Sequence, residues 1–514
     1  MSGIDPRLKD PTWDAAASPS RARVRLLALA GIVLAGWYLS WLCQPERVGQ
    51  PVLYGLLLAA EVFNLLQIAG FWWTATRRPP IATRLVEPTA PVDVLVPVYD
   101  EPVAVVEATI AAAVRMEGDP RVMLLHDGDD PAIADLAGRY GVRYRPRKEN
   151  IGAKAGSINS ALQQTSAPFV AVFDCDHVSH RQFLAATLWQ FEDPTVAFVQ
   201  APQYYANADV NAVSAAAAAQ QALFFGTIAR GKDALGAMFC CGTNVVFRRE
   251  ALESVGGFPE GSLTEDFELS ILLHERGWKS RYVPHVLASG LGPEDMSAYA
   301  SQQLRWARGC LSALPRILGA RLSFRQRAQY LLSSVFWLTG WTILLYASLP
   351  VIRIFTGLQP VDATYGSEFL VYFGPYFAAA VAFVAVAGAG AYTFRAYTLL
   401  AAGFWIHVYA TIASLLRLPS RFVVTPKEGA GGWHPRAVAP TLVALVVLVA
   451  AGAYGLHKSR SPAMLNNVAF VVFHTTILSS GAVTAFGRRR PSPSTGERPR
   501  TRAPAGPATQ RPRR

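Results

Sequence analysis

Val92-Asp-Val-Leu-Val-Pro-Val-Tyr-Asp-Glu-Pro102 is a short β-branched run closed by acids and a proline. Its near-continuous apolar character predicts a strand buried on both faces, and the closing residues predict a turn into a helix over about 102–116. A second run, 121–125, ends in His126-Asp127-Gly128, and a third, 169–173, ends in Asp174-Cys175-Asp176. Ala-rich stretches lie between such runs. Strands alternating with helices predict an α/β domain with a largely parallel sheet. Ligands of open α/β sheets sit outside the carboxyl ends of the strands. Tyr99, Asp100 and Glu101 therefore stand at the mouth of a site, although the same residues also suit an ordinary strand-to-helix turn.

On either side of this domain the chain turns apolar. Hydrophobic residues make up 51% of the sequence and charged residues 16%, a balance that points to bilayer-facing surface. Spanning takes about 20 apolar residues. Runs at 26–43 and 51–73 precede the domain, and no comparable uncharged run falls between 77 and 316. Five more follow, at 331–352, 369–394, 396–416, 437–456 and 468–486. Taking 396–416 as a helix lying on the membrane surface leaves six spans. Both termini, the α/β domain and Arg395, Arg417, Arg421, Lys427 and Arg436 then share the cytoplasmic side that basic residues prefer; Lys458 and Arg460 fall opposite. The expected organisation is a cytoplasmic segment 1–25, two spans within 26–76, an α/β domain over 77–316, a helical transmembrane domain over 317–486, and a tail over 487–514. That tail holds nine Arg against one Glu and is rich in Pro, Ser and Thr, a composition that cannot bury a core and suits anionic lipid. No nucleic-acid motif accompanies it. Five cysteines without paired spacing fit a reducing compartment, and no cleavable signal is evident. In the second span Glu61, Asn64 and Gln67 fall on one side of the helix. A polar partner on a neighbouring helix and a wet pore wall explain them equally well.

Several motifs carry chemistry. In an extended Asp-x-Asp both carboxylates of Asp174 and Asp176 reach toward one point, a hard-oxygen pair suited to Mg²⁺ or Mn²⁺. Lys154 lies in Asn150-Ile-Gly-Ala-Lys-Ala-Gly-Ser-Ile-Asn159, a loop opening a helix, where amides and an ammonium can hold a phosphate. Its spacing is not that of a P-loop, which argues against an ATPase. Cys240-Cys241 reads as packing beside a pocket. Thr264-Glu265-Asp266 begins a helix that Thr264 can cap. Gln302 and Arg305, three apart, share a helix face beside Trp306, an indole suited to a sugar ring or to anchoring at a membrane interface.

Taken in order, Asp127 in its Asp-Gly turn, Asp174-Cys-Asp176, Thr264-Glu-Asp266 and Gln302-x-x-Arg305-Trp306 resemble the processive family 2 glycosyltransferases, and most nearly the bacterial cellulose synthase catalytic subunits. Phe422-Val-Val-Thr425-Pro-Lys427, after the surface helix, is similar to the gating loop of that group (417–436). The resemblance covers about 92–427 and implies a GT-A (Rossmann-like) catalytic domain joined to an α-helical transmembrane domain in the cell inner membrane. It implies that Tyr99, Glu101 and Asp127 hold uridine, Lys154 the diphosphate, and Asp174 and Asp176 nucleotide and metal. Asp266 would be the general base, Gln302 and Arg305 would steady the diphosphate, and Trp306 would stack under the acceptor. Phe422, Thr425 and Lys427 would close over the donor. The implied partners are a UDP-sugar, a growing polysaccharide and membrane lipid, with room for an accessory envelope subunit. The implied activity is polymerisation of UDP-glucose into a cellulose-like β-1,4-glucan, with another β-glycan or transfer of one sugar to a polyprenyl phosphate as alternatives. The chain departs from the family where His126 replaces an Asp and Gln303 an Arg. It also lacks room for a cyclic-di-GMP-binding barrel.

Overall fold

The computed structural model describes residues 20–78, 84–148, 150–362, 366–419 and 434–486. Ten strands are present among them: β1 (Pro91–Val98), β2 (Asp119–His126), β3 (Arg143–Pro146), β4 (Phe169–Val172), β5 (Val178–Ser179), β6 (Val196–Gln200), β7 (Tyr204–Tyr205), β8 (Val245–Arg248), β9 (Lys279–Tyr282) and β10 (Ala288–Gly290). Seven form one sheet in the order β3-β2-β1-β4-β8-β6-β9, and β5-β10-β7 form a small second sheet. In the large sheet only β8 runs antiparallel, to both β4 and β6. The rest pair in parallel, as the buried Val-rich runs predict.

Side chains alternate between two cores. Val94, Val96, Val122 and Leu124 pack on one face, and Leu95, Met123 and Leu125 on the other. The expected helix after β1 forms over Val103–Ala113. Because β2 and β3 extend from one side of β1 and β4 from the other, the strand order reverses at β1. That reversal opens a crevice at the carboxyl ends of β1 and β4.

Among the described residues, seven helices are long and apolar enough to cross a bilayer: Arg21–Leu42, Pro51–Thr76, Ala212–Ala234, Phe324–Thr356, Glu368–Ala387, Pro435–Lys458 and Pro462–Ala485. This fits a multi-pass membrane protein. Six correspond to expected runs. The seventh, Ala212–Ala234, lies inside the α/β stretch where no such run was expected, and its apolar window is 44% buried, more than that of any other candidate. Gln220 donates to the Ala396 carbonyl at 2.9 Å and Thr227 to that of Ala387 at 2.7 Å, so this helix packs between the sheet and the bundle. Alanines carry its apolarity, while its last turn is charged (Arg230, Lys232, Asp233), which hid it as a span.

The run 369–394 is also shorter than its sequence suggests. Its helix ends at Ala387, and a turn with left-handed Ala389 and Gly390 precedes the next helix at Phe394. The stretch expected at 396–416 is two helices, Phe394–Ala402 and Phe404–Leu415, bent by 46° at Gly403. At 1.5 Å per residue the limbs reach only about 14 and 18 Å, each short of a bilayer core. On the second span, the Tyr346 hydroxyl donates to Glu61 at 3.0 Å and accepts from Asn64 at 2.8 Å, so a neighbouring helix partners these two, while among the described residues Gln67 Nε2 is buried without a hydrogen-bond partner.

Candidate active site

The crevice at the reversal is lined by strand ends. At β1 the Tyr99 amide donates to the Glu101 carboxylate at 2.8 Å, fixing the turn and leaving the Tyr99 ring half exposed. At β2 the Asp127 amide donates to the Val98 carbonyl, and Asp127 meets Arg147 in a two-pronged ion pair, Nε to Oδ1 at 2.7 Å and Nη2 to Oδ2 at 2.8 Å. His126 is buried, its Nδ1 2.8 Å from the Tyr144 hydroxyl.

Lys154 sits in the first turn of the helix Ala153–Leu162. Its ammonium donates to Asp174 at 2.5 Å and to the Gly242 carbonyl at 2.7 Å. Gly242 has φ +81°, and a Cβ there would lie 2.9 Å from Asp266 Oδ2 and 3.5 Å from Lys154 Nζ. Four segments distant in sequence therefore converge on Lys154, Asp174, Gly242 and Asp266. Burial works against the Lys154 charge, but the Asp174 and Glu265 carboxylates outweigh it and hold the pKa up. Burial likewise pushes Asp174 up, and the Lys154 ammonium and His177 bring it below the usual carboxylate range. Among the described residues Asp266 has no such partner. Burial and the Glu265 carboxylate push it up to about 7, against the pull of the Phe267 amide, Lys154 and Arg305.

Asp176 and His177 are buried together, with His177 Nδ1 3.1 Å from Asp176 Oδ1. Ligand atoms of Asp174, Asp176 and His177 all lie within 4.8 Å of one another. Among the described residues, His177 Nε2 is buried without a hydrogen-bond partner. The two aspartates were expected here from their spacing; the histidine was not, although it follows Asp176 directly.

The helix Met296–Ser312 closes another side. Asp295 caps it by accepting from the Ala298 amide at 2.9 Å. Gln302 donates to the Tyr205 hydroxyl at 3.4 Å. Arg305 lies close enough for its charge to act on Asp266. Trp306, one residue on, is half-buried against a cluster of Ala307, Leu311, Trp337 and Ala410. Close packing against the Thr264 segment requires Gly309, since a Cβ there would overlap the Thr264 side chain at 2.3 Å. Thr264 stands at the N-cap of Glu265–Glu275 but its side chain makes no capping bond, so the simple capping role is not what it does. Cys240 is core, and burial pushes both neighbouring thiols up, away from reactive thiolate. Phe422, Thr425 and Lys427 lie outside the described residues.

Residues 169–394, which contain Asp174, Asp176, Asp266 and Arg305, match the family model Glycosyl transferase family group 2. Over that stretch the chain is similar to the group 2 glycosyltransferases. Cellulose synthase 1 of Komagataeibacter xylinus is 31% identical over 466 residues, 85% of this chain and 30% of that protein. The cellulose synthase catalytic subunit [UDP-forming] of Xanthomonas axonopodis pv. citri (strain 306) is 35% identical over 60% of this chain and 45% of its own length. Its namesake in Pseudomonas fluorescens (strain SBW25) is 27% identical over 92% of this chain and 68% of its own. The chain thus spans under a third of the first relative's length. Among solved structures, the mannosyltransferase PcManGT from Pyrobaculum calidifontis, in complex with GDP-Man and Mn²⁺, superposes on 71% of this chain and all of its own, with a TM-score of 0.52 at 15% identity. That likeness is one of fold, and it agrees with a GT-A-like mixed sheet.

Proposed function

We propose that this protein is a membrane-embedded, processive, inverting β-glycosyltransferase that polymerises UDP-glucose into a cellulose-like β-1,4-glucan and passes the polymer through its own helices. The reading rests on the convergence of Lys154, Asp174 and Asp266 at the switch point of a glycosyltransferase sheet. Relatives named cellulose synthase catalytic subunit [UDP-forming] support a UDP donor. The catalytic domain, 77–316, would face the cytoplasm beneath the inner membrane. The segment 1–25 and the tail 487–514 would lie on the same side. Spans would lie within 26–76 and 317–486, with 396–416 on the surface and a gating loop over 417–436. Lipid and the growing polysaccharide would be the other partners, together with any accessory envelope subunit.

Asp266 would take the proton of the acceptor 4-hydroxyl as that oxygen bonds to the anomeric carbon and the bond to the UDP oxygen breaks. Attack opposite the leaving group inverts an α-donor to a β-product. A base whose pKa lies near the working pH suits this task. Tyr99 and Glu101 would line the uridine end, with Asp127 beside them. Lys154, Gln302 and Arg305 would counter the diphosphate, since stabilising the charge that develops on a leaving group usually accelerates such a reaction more than proton transfer does. Trp306 would stack under the acceptor sugar. Phe422, Thr425 and Lys427 would act as the gating loop. Asp174, Asp176 and His177 suit Mg²⁺ or Mn²⁺, and the buried, unpartnered Nε2 of His177 favours that fit. When bound, such an ion offsets charge on the departing diphosphate.

Purified protein given UDP-glucose and Mg²⁺ or Mn²⁺ should release UDP and make a high-mass polymer that β-1,4-specific hydrolases digest. Resistance to those enzymes, or preference for GDP-mannose or UDP-N-acetylglucosamine, would move the reading to another β-glycan. An organic-extractable glycolipid as sole product would replace it with transfer to a polyprenyl phosphate. Absence of nucleotide release with every donor would end it.

A further inference from the structure

Both carboxylate oxygens of Asp127 are already taken. Arg147 Nε donates to Oδ1 at 2.7 Å and Nη2 to Oδ2 at 2.8 Å. The pair is largely shielded, with side-chain exposures of 8% for Asp127 and 17% for Arg147, so it escapes most of the screening that weakens surface pairs. The same guanidinium reaches onward: Nη1 donates to the Ile151 carbonyl at 2.7 Å and Nη2 to the Ala153 carbonyl at 2.9 Å. Those carbonyls belong to the tight turn that starts the Lys154 helix. Gly152 and Ala153 both stand in the left-handed region there, at φ +71° and +46°, a costly conformation for alanine. The next turn is crowded against the same group, because a Cβ at Gly156 would lie 2.2 Å from the Ile151 carbonyl oxygen and 3.0 Å from Arg147 Nη1. The Arg147 amide also donates to the His126 carbonyl at 2.8 Å, which fixes the arginine to the end of β2.

We infer that Arg147 is a positioning residue that couples the nucleotide end of the site to the diphosphate end, and that Asp127 serves by anchoring Arg147. One planar fork, satisfied on two oxygens and two carbonyls, sets the distance between the end of β2 and the turn that presents Lys154. Lys154 in turn reaches Asp174 and Gly242. A lysine in place of Arg147 can meet one of these acceptors at a time, and an alanine none. This inference rests on the UDP-sugar reading above.

The test is a double-mutant cycle read by UDP binding to the full-length protein in detergent, alongside donor KM and kcat. Arg147→Ala and Asp127→Ala should each raise the UDP dissociation constant and donor KM about tenfold, with kcat falling far less, and the double variant should be no worse than either single one. Arg147→Lys should recover part of the affinity, and it serves where the alanine variant does not fold. Multiplying losses in the double variant, or an unchanged UDP affinity in folded Arg147→Lys and Arg147→Ala, would overturn the coupling. Failure of the unmodified protein to bind UDP would instead remove the donor reading and this role with it.

Discussion

Near the amino end of β1, Asp93 is buried with Arg249 Nη2 on its Oδ2 at 2.7 Å and the Ala167 amide on the same oxygen at 2.8 Å. Arg249 spends its other donors on the Ala167 and Leu162 carbonyls and the Thr165 hydroxyl. At the carboxyl end of the sheet, Asp174, Asp176, Glu265 and Asp266 crowd Lys154, His177 and Arg305, and Asp266 is left without a salt-bridge partner among the described residues. The ingredients are alike and the outcomes differ. A carboxylate matched by a guanidinium fixes the chain. Carboxylates in excess of their cations leave Asp266 with a raised pKa and hold the ligand atoms of Asp174, Asp176 and His177 within 4.8 Å of one another, as the proposed base and metal site require.

The largest effect that tests this contrast is at Asp266. Asp266→Asn should cost about 10²–10⁴-fold in polymer synthesis while nearly preserving UDP binding. As the proposed base, Asp266 would work in its ionised form, and burial with Glu265 pushes its pKa up to about 7, so activity should climb as pH rises through about 7 and fade below it. Glu265→Gln removes a carboxylate that raises Asp266, so this acid limb should move to lower pH. A limb that stays put, or synthesis at a normal rate by Asp266→Asn, would separate Asp266 from the chemistry. Next comes His177→Ala. It should raise the Mn²⁺ or Mg²⁺ concentration for half-maximal activity about 10–100-fold, read by a metal titration. An unchanged titration would leave His177 a structural partner of Asp176, and the two ends of the sheet would then differ less than their charge balance implies.

Much of this was legible in the sequence because the candidate site lies largely at strand ends and strands announce themselves. Asp127, Asp174 and Asp266 follow apolar runs or open a helix, and the fold puts each where such placement implies. Arg147, Gly242 and the break at Gly403 were not legible. Each matters through a contact with a residue distant in sequence, or through a backbone angle, and neither leaves a periodic trace. Ala212–Ala234 escaped for a related reason: its role as a buried strut depends on what packs against it, and alanine alone gives no side to pack. The surface placement of 396–416 was expected from charge bias; the structure shows two helices bent by 46°, a break that the apolar run does not announce.

At the amino end, Arg249→Ala should leave UDP affinity and kcat per folded molecule unchanged but cost about 1.5–3 kcal/mol of stability, because Asp93 would lose its hydrogen-bonded cation and keep only Arg143, 3.8 Å from its other oxygen. Chemical unfolding in detergent measures this, and a loss of kcat without loss of stability would contradict the division of labour between the two ends.

The smallest effect concerns a third buried acid, Glu61, which is partnered by a hydroxyl where Asp93 has a cation. Tyr346→Phe removes the group that donates to Glu61 and accepts from Asn64. Side-chain hydrogen bonds between membrane helices contribute about 0.6–2 kcal/mol, so a modest drop in the unfolding midpoint with unchanged synthesis is expected. That outcome would extend the rule from the sheet to the bundle: an acid whose oxygen is already satisfied holds elements together and leaves chemistry to the unsatisfied one. Loss of polymer secretion at unchanged stability would point the other way. It would mean that Glu61, Asn64 and Gln67 line a wet path and that the Tyr346 hydroxyl belongs to its wall, since removing one hydroxyl from a purely structural contact cannot stop transport while the helices stay packed.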